Sequence, residues 1–273
     1  MHRGFCLFEK PAAAGHPAAL ADQPHRSPKR RRGRRYDRNV VAVFEGLRHF
    51  EGPQAAAGDK NALGLLGAGD GGAAQLDDIG FGLLGRAAEY LAKQDVDAIM
   101  VIGTSLTFYR GPQAHDRLLE QLRERTGLPV STMSQSIIDG LREVGAKHVA
   151  VATAYTDVVN QRLKELLAAA GIETLSLECF DLLEFGGPSK KTEADIIELS
   201  STAVASANEA EGILISCGGL RTLEVAKPLE DRHHIPVVSS ATAAFWAAMR
   251  LVGESGRVSG YGRLLEEAKA PVH

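Results

Sequence analysis

The chain has 273 residues, 44% of them hydrophobic, with a formal net charge of −3. That length allows one large or two small domains, and the near-neutral charge gives no sign of a nucleic-acid or membrane partner. No apolar run reaches the length needed to span a bilayer, and three cysteines (Cys6, Cys179 and Cys217) are too few for a disulfide framework and lack zinc-site spacing.

The first 80 residues differ from the rest. They are rich in Ala, Gly and Arg and carry the basic run Lys29-Arg30-Arg31-Arg32-Gly33-Arg34-Arg35. Residues 1–8 are weakly strand-like, residues 39–47 read as a strand or a helix, and residues 64–72 read as loop. A solvated or disordered tail is favoured over a binding patch, and an altered start site or reading frame is a third reading. The amino terminus lacks a charged-then-apolar export pattern, so a reducing, cytoplasmic setting is expected.

Beyond residue 85 the pattern is regular. Residues 83–93 predict a helix, 97–103 an apolar strand, and 114–125 an amphipathic helix ended by Gly127-Leu128-Pro129. A short strand at 130–132 precedes a helix at 134–144, with Ser134 as its N-cap and Gly145 closing it. A strand at 148–153, a helix at 157–170 and a strand at 172–177 follow. The next elements are a helix at 192–208 capped by Thr192, a strand at 212–216, a helix at 220–233, a strand at 237–239, and a helix at 242–251 carrying Phe245 and Trp246. This alternation predicts an α/β fold with parallel sheets covered on both faces.

The chain also repeats itself. Residues 98–106 (AIMVIGTSL) resemble 212–220 (GILISCGGL), and 122–129 (LRERTGLP) resemble 229–236 (LEDRHHIP). The repeat predicts two pseudo-symmetric parallel-sheet α/β domains with the active site at their interface. Their expected bounds are 81–131 plus 239–273 for the first and 132–238 for the second.

In that repeat Gly103 faces Cys217, so a site built from both halves carries a thiol on one side only. Sites in open α/β sheets form beyond the carboxyl ends of the strands, where Gly103-Thr104-Ser105, Thr153-Ala154-Tyr155 and Ser216-Cys217-Gly218-Gly219 all lie. A thiol between a buried strand and a predicted helix is poised as acid, base or nucleophile, although a cysteine there also serves as a small apolar filler. Thr104 and Ser105 add hydroxyls and backbone amides, and Tyr155 a phenolic donor, a set suited to a carboxylate or an enediolate. No Gly-x-Ser-x-Gly elbow, phosphate loop or dinucleotide fingerprint is present. His233-His234 are adjacent on a predicted helix and cannot face one ligand together, and Asp181, Glu184, Glu193 and Asp195 read as solvated charges.

From about residue 85 onward the chain resembles the aspartate/glutamate racemase superfamily, most closely its arylmalonate decarboxylase family. The resemblance rests on Gly103-Thr104-Ser105-Leu106-Thr107-Phe108-Tyr109-Arg110-Gly111, Ala152-Thr153-Ala154-Tyr155, Leu214-Ile215-Ser216-Cys217-Gly218-Gly219-Leu220, Pro236-Val237-Val238-Ser239-Ser240, Phe245-Trp246 and Gly260-Tyr261-Gly262-Arg263-Leu264. It implies catalysis without a metal or organic cofactor. It also implies a dioxyanion hole built from Thr104, Ser105, Tyr155 and the backbone at Cys217 and Gly218, with Cys217 as proton donor. Gly103 takes the place of the first of the two cysteines used by racemases and maleate isomerases of the superfamily.

With one thiol, loss of CO2 from a disubstituted malonate generates the carbanion without a base, and Cys217 protonates one face. Leu106 is expected to line the less polar pocket of the departing carboxylate, with Gly103 and Gly219 also at the pocket. The expected partner is a small dicarboxylate, acted on by a monomer or small homo-oligomer. The alternatives are a racemase or maleate-type isomerase of small dicarboxylates or amino acids, and an inactive or carboxylate-binding homologue. Two segments depart from the family pattern: the family's first strand, which ends in a proline-containing loop, has only a faint counterpart here, and residues 180–192 (FDLLEFGGPSKKT) are dissimilar.

Overall fold

The computed structural model describes residues 40–43, 78–94, 96–184 and 186–267. The expectations for residues 1–8, for the basic run and for 64–72 lie outside them. Within 39–47 the strand alternative is realised as β1 (Val40–Val43), which pairs in parallel with β2 (Ala98–Val101). The first sheet is completed by β3 (Val130–Thr132), giving the order β1-β2-β3. The second sheet contains β4 (His148–Thr153), β5 (Glu173–Cys179), β6 (Gly212–Ser216) and β7 (Val237–Ser239) in the order β5-β4-β6-β7. All pairings in both sheets are parallel.

The helices are α1 (Asp78–Ala92), α2 (Thr104–Phe108), α3 (Pro112–Thr126), α4 (Met133–Glu143) and α5 (Asp157–Ala169), followed by α6 (Glu193–Ala205), α7 (Ala226–His233), α8 (Ser240–Leu251) and α9 (Arg263–Glu266). Side chains alternate across a strand, and this alternation assigns the layers. Ile99 and Val101 of β2 pack on Leu84 of α1 and Leu118, Leu119 and Leu122 of α3, while Met100 points the other way. In β6, Ile213 and Ile215 pack on Ile196 of α6 and Leu229 of α7, while Leu214 points the other way. Met100 and Leu214 meet in one shared core with Ile137 and Leu141 of α4 and Ala243 and Ala247 of α8. The helices α4 and α8 therefore lie between the two sheets and join them into a single apolar body.

The repeat is visible in the backbone. The amide of Ile99 donates to Pro129 O at 3.0 Å, and that of Ile213 donates to Pro236 O at 2.9 Å. The helix before each of these prolines ends in a left-handed residue, Gly127 (φ 67°) in one half and His234 (φ 61°) in the other. Each second strand then runs directly into a helix capped by a hydroxyl three residues after the proline. Thr132 accepts from the amide of Gln135, and Ser239 from that of Thr242.

Two local expectations are corrected. Thr132, not Ser134, caps α4; Ser134 is buried, and its hydroxyl donates to Thr104 O at 2.8 Å. The helix expected from residue 220 begins only at Ala226, because residues 217–225 form successive turns closed by Leu220 N–H to Cys217 O and Val225 N–H to Thr222 O. The residues after Gly103 form the five-residue helix α2. Thr192 caps α6 as expected, in a reciprocal box with Asp195. Among the described residues, no helix is long and apolar enough to cross a membrane.

Candidate active site

Three strand ends converge. In the second sheet Thr153 of β4 lies beside Ser216 of β6, so the residues that follow them, Tyr155 and Cys217, emerge from neighbouring strands on the same edge. Tyr155 is mostly buried, and its phenolic oxygen lies 3.4 Å from Ser216 Oγ. Its ring meets Phe108 of α2 edge-to-face, with centroids 5.9 Å apart. That contact connects β4 to the helix that follows β2. The turn beneath Tyr155 is fixed by Asn160, which accepts from Thr153 Oγ1 at 2.7 Å and donates to Tyr155 O at 3.3 Å.

Gly103 is at the end of the first sheet, with φ 124° and ψ 92°, a region open to glycine and strained for other residues. This conformation turns the chain sharply from β2 into α2. The first turn of α2 is held by hydroxyls: Thr107 Oγ1 donates to Thr104 O at 3.2 Å and lies 2.5 Å from Ser134 Oγ. Thr104 is buried, and its hydroxyl donates to Ser240 Oγ at 3.1 Å.

Cys217 is half-buried and touches both the shared core and the apolar cluster outside the second sheet. Its amide donates to Ser240 Oγ at 3.2 Å. One oxygen at the start of α8 thus bridges Thr104, the residue after Gly103, and Cys217, joining the two strand ends that the repeat aligns. The glycines after Cys217 are exposed but closely approached: a Cβ on Gly218 would lie 2.9 Å from Met133 Sδ, and one on Gly219 would lie 3.2 Å from Pro188 and 3.7 Å from Cys217 Sγ. Pro188 belongs to the segment at 180–192, so that departure from the family pattern forms a wall beside the thiol.

Of the predicted site residues, Thr104, Cys217 and Tyr155 are linked through Ser240, Phe108 and Ser216, with Gly103, Ser105, Gly218 and Gly219 adjacent to them in the chain. Leu106 is instead buried with Leu118 and Leu122 in the core outside the first sheet. Met133, Ser134, Pro188 and Ser240 were not foreseen as site neighbours. Only Ser240 carried a signal, as the second hydroxyl of the Ser239-Ser240 pair at a strand end.

Burial lowers the pKa of His115, whose Nε2 is 2.7 Å from Thr132 Oγ1. Burial raises that of Asp139, in a cleft of about 420 Å³ between α4 and α8 that also holds Arg142, Trp246 and Arg250. Burial also raises that of Glu230, although its carboxylate accepts from the amides of Val237 and Arg263. Among the described residues, no group of three or more His, Cys, Asp or Glu side chains is placed to hold a metal ion.

Residues 76–265 match the family model described as arylmalonate decarboxylase. The chain is 40% identical over 182 residues to arylmalonate decarboxylase from Bordetella bronchiseptica, covering 66% of this chain and 76% of that protein. It superimposes on the structure of unliganded arylmalonate decarboxylase with a TM-score of 0.66 and 39% identity, covering 70% of this chain and 83% of that one. It is also 27% identical over 164 residues to maleate isomerase from Geobacillus stearothermophilus, covering 57% of this chain and 64% of that protein. The chain belongs to the arylmalonate decarboxylase family, carboxy-lyases within the aspartate/glutamate racemase-like superfamily.

Proposed function

We propose that the protein decarboxylates disubstituted malonates bearing an aryl group, without a cofactor, and protonates the product from one face with Cys217. One observation carries this reading: Cys217 stands at a strand end whose counterpart in the repeat is Gly103, so a single thiol faces the substrate. The described residues contain one other cysteine, Cys179, which pairs in register with Thr153, itself in register with Ser216. Two strand spacings, about 10 Å, therefore separate the Cys179 and Ser216 backbones on the same sheet, and Cys179 is not a partner on the opposite face.

The substrate carboxylate that is retained is held by the hydroxyls of Thr104 and Ser105, the Tyr155 phenol and the amides at Cys217 and Gly218. The Thr104 hydroxyl and the Cys217 amide also donate to Ser240 Oγ. The carboxylate, a stronger acceptor, takes the Thr104 hydrogen bond while Thr104 accepts from Ser240 in return, and the Cys217 amide is shared between the two oxygens. The bond from the α-carbon to the second carboxylate breaks, CO2 departs, and the bonding pair moves into the retained carboxylate to give an enediolate. Donors already aimed at that group stabilise the charge as it develops. The α-carbon then takes the thiol proton of Cys217, and the thiolate is reprotonated from solvent. A cytoplasmic setting keeps that thiol reduced.

Incubation with an arylmalonate, following CO2 release, tests the reading. Turnover is expected in the parent and nearly absent in Cys217→Ala; a Cys217→Ala variant with full activity would remove the cysteine from the mechanism. The similarity to maleate isomerase favours one rival, isomerisation or racemisation at the same site. Proton exchange at the α-carbon of a chiral acid, with no CO2 released from malonates, would establish that rival.

A further inference from the structure

We infer that Ser240 is a positioning residue for this reaction: its hydroxyl sets the placement of Cys217 relative to Thr104 across the two halves of the site. This rests on the proposed decarboxylation for its kinetic arm only.

Ser240 is 1% exposed, and a buried hydroxyl is costly unless its hydrogen bonds are made. Helix capping does not explain it, because α8 is already capped by the reciprocal pair of Ser239 and Thr242. The repeat sharpens the point. Counting from Pro129 and Pro236, the cap Thr132 corresponds to Ser239 and Met133 corresponds to Ser240. The same helical position holds an apolar side chain in one half and a hydroxyl in the other. What distinguishes the second half is the pair of donors that Ser240 accepts, Thr104 Oγ1 at 3.1 Å and the Cys217 amide at 3.2 Å.

The Cys217 loop is strapped at its two ends to two adjacent residues, Ser240 and Ser239. Ser240 takes the amide at its start, and Ser239 Oγ is 2.9 Å from Thr222 Oγ1 at its far side. Between these points the chain contains Gly218 and Gly219 and turns rather than a regular helix, the first turn closed by the Leu220 amide on the Cys217 carbonyl, and the two contacts to the start of α8 anchor those turns. Removing the Ser240 hydroxyl releases the loop at the residue that donates the proton, and it also unties Thr104. The protonation geometry should suffer more than substrate binding, which Ser105, Tyr155 and Gly218 still support.

The experiment compares Ser240→Ala and Ser240→Thr with the parent in two assays. The first is steady-state CO2 release from an arylmalonate. Ser240→Ala is expected to lower kcat about tenfold with KM within about twofold, and Ser240→Thr to recover most of the loss. The second is alkylation of Cys217 by iodoacetamide, followed by mass spectrometry with Cys179 as internal reference. The ratio of the Cys217 rate to the Cys179 rate should change by about threefold or more in Ser240→Ala and return toward the parent value in Ser240→Thr. Should Ser240→Ala not fold, Ser240→Cys, which is slightly larger, weakens both hydrogen bonds and adds a thiol that peptide mass spectrometry resolves from Cys217, takes its place with the same expectations. Parental kcat and an unchanged alkylation ratio in the variant, or a threonine variant as impaired as the alanine one, would overturn the inference. A parent that releases no CO2 refutes the decarboxylase reading, and the alkylation ratio then decides the role of Ser240 alone.

Discussion

Gly218 packs beneath Met133, so that a Cβ added to the glycine would stand 2.9 Å from Met133 Sδ and 3.3 Å from its Cε. The first residue of α4 thus reaches the loop that carries the thiol, as the first residue of α8 does through the Cys217 amide. The obstructing atoms are the far end of a flexible side chain, which moves aside at modest cost. Gly218→Ala is therefore expected to lose about 1 kcal/mol of stability, at the low end of overpacking costs. Its CO2 release should fall more than its stability, because the displaced Met133 and the shifted Gly218 amide both border the anion site. Urea denaturation beside initial-rate measurements separates the two effects.

Glu230 bears on the carboxyl end of the described chain. Its carboxylate accepts from the buried Val237 amide at 2.9 Å and from the Arg263 amide at 3.0 Å, holding the start of α9 against β7. Glu230→Ala leaves both amides without that acceptor, and each orphaned buried donor costs about 1–3 kcal/mol. A fall of that order in unfolding free energy is expected, together with faster proteolysis near Gly262. Glu230→Gln keeps an acceptor oxygen and should sit between the parent and Ala.

His115 makes stability depend on pH in one direction. Burial is the largest cause of its lowered pKa, Asp116 opposes that lowering and Arg123 adds to it, so the folded state binds a proton below the ordinary value of 6.5. The neutral ring's contribution is complete above 6.5 and is lost as pH falls from there through the folded-state pKa. Asp139 and Glu230, with raised pKa values, act oppositely: folding gains as pH falls through their folded values toward the unfolded ones. Substitution isolates the histidine. Between pH 7.5 and 5.5, the parent's urea midpoint should drop by more than that of His115→Gln, and equal drops would refute the assignment.

Much of this architecture is legible in the sequence because buried parallel strands are short apolar runs. The matched segments at 98–106 and 212–220 announce two halves. The candidate site is readable where chemistry and chain position coincide, at Cys217, Thr104 and Tyr155. The rest depends on tertiary contacts. A five-residue helix such as α2 is too short to show a period. Leu220 and Val225 are apolar because they pack against Ile213 and Leu229, not because they share a helix face, and so the turns at 220–225 read as helix. Ser134 and Thr132 are both acceptable caps, and only the carbonyl of Thr104 in another element decides which hydroxyl is used. Leu106 follows the site motif in sequence, yet α2 turns its side chain into the opposite core.

Gly103 joins the fold to the choice of chemistry. Its backbone, at φ 124° and ψ 92°, is one that a residue with a Cβ adopts only under strain. Gly103→Cys should therefore cost about 1–3 kcal/mol in stability, visible as a lower urea midpoint. If the variant folds, it places a second thiol opposite Cys217, and two thiols flanking one α-carbon allow a base on one face and an acid on the other. Solvent deuterium should then enter the α-position of a chiral arylacetate-type acid, with loss of optical activity, while the parent exchanges far more slowly. Pairing Gly103→Cys with Cys217→Ser should abolish that exchange. A folded Gly103→Cys variant with no α-exchange would show that position 103 does not face the substrate, and the glycine would then be kept for its backbone conformation alone.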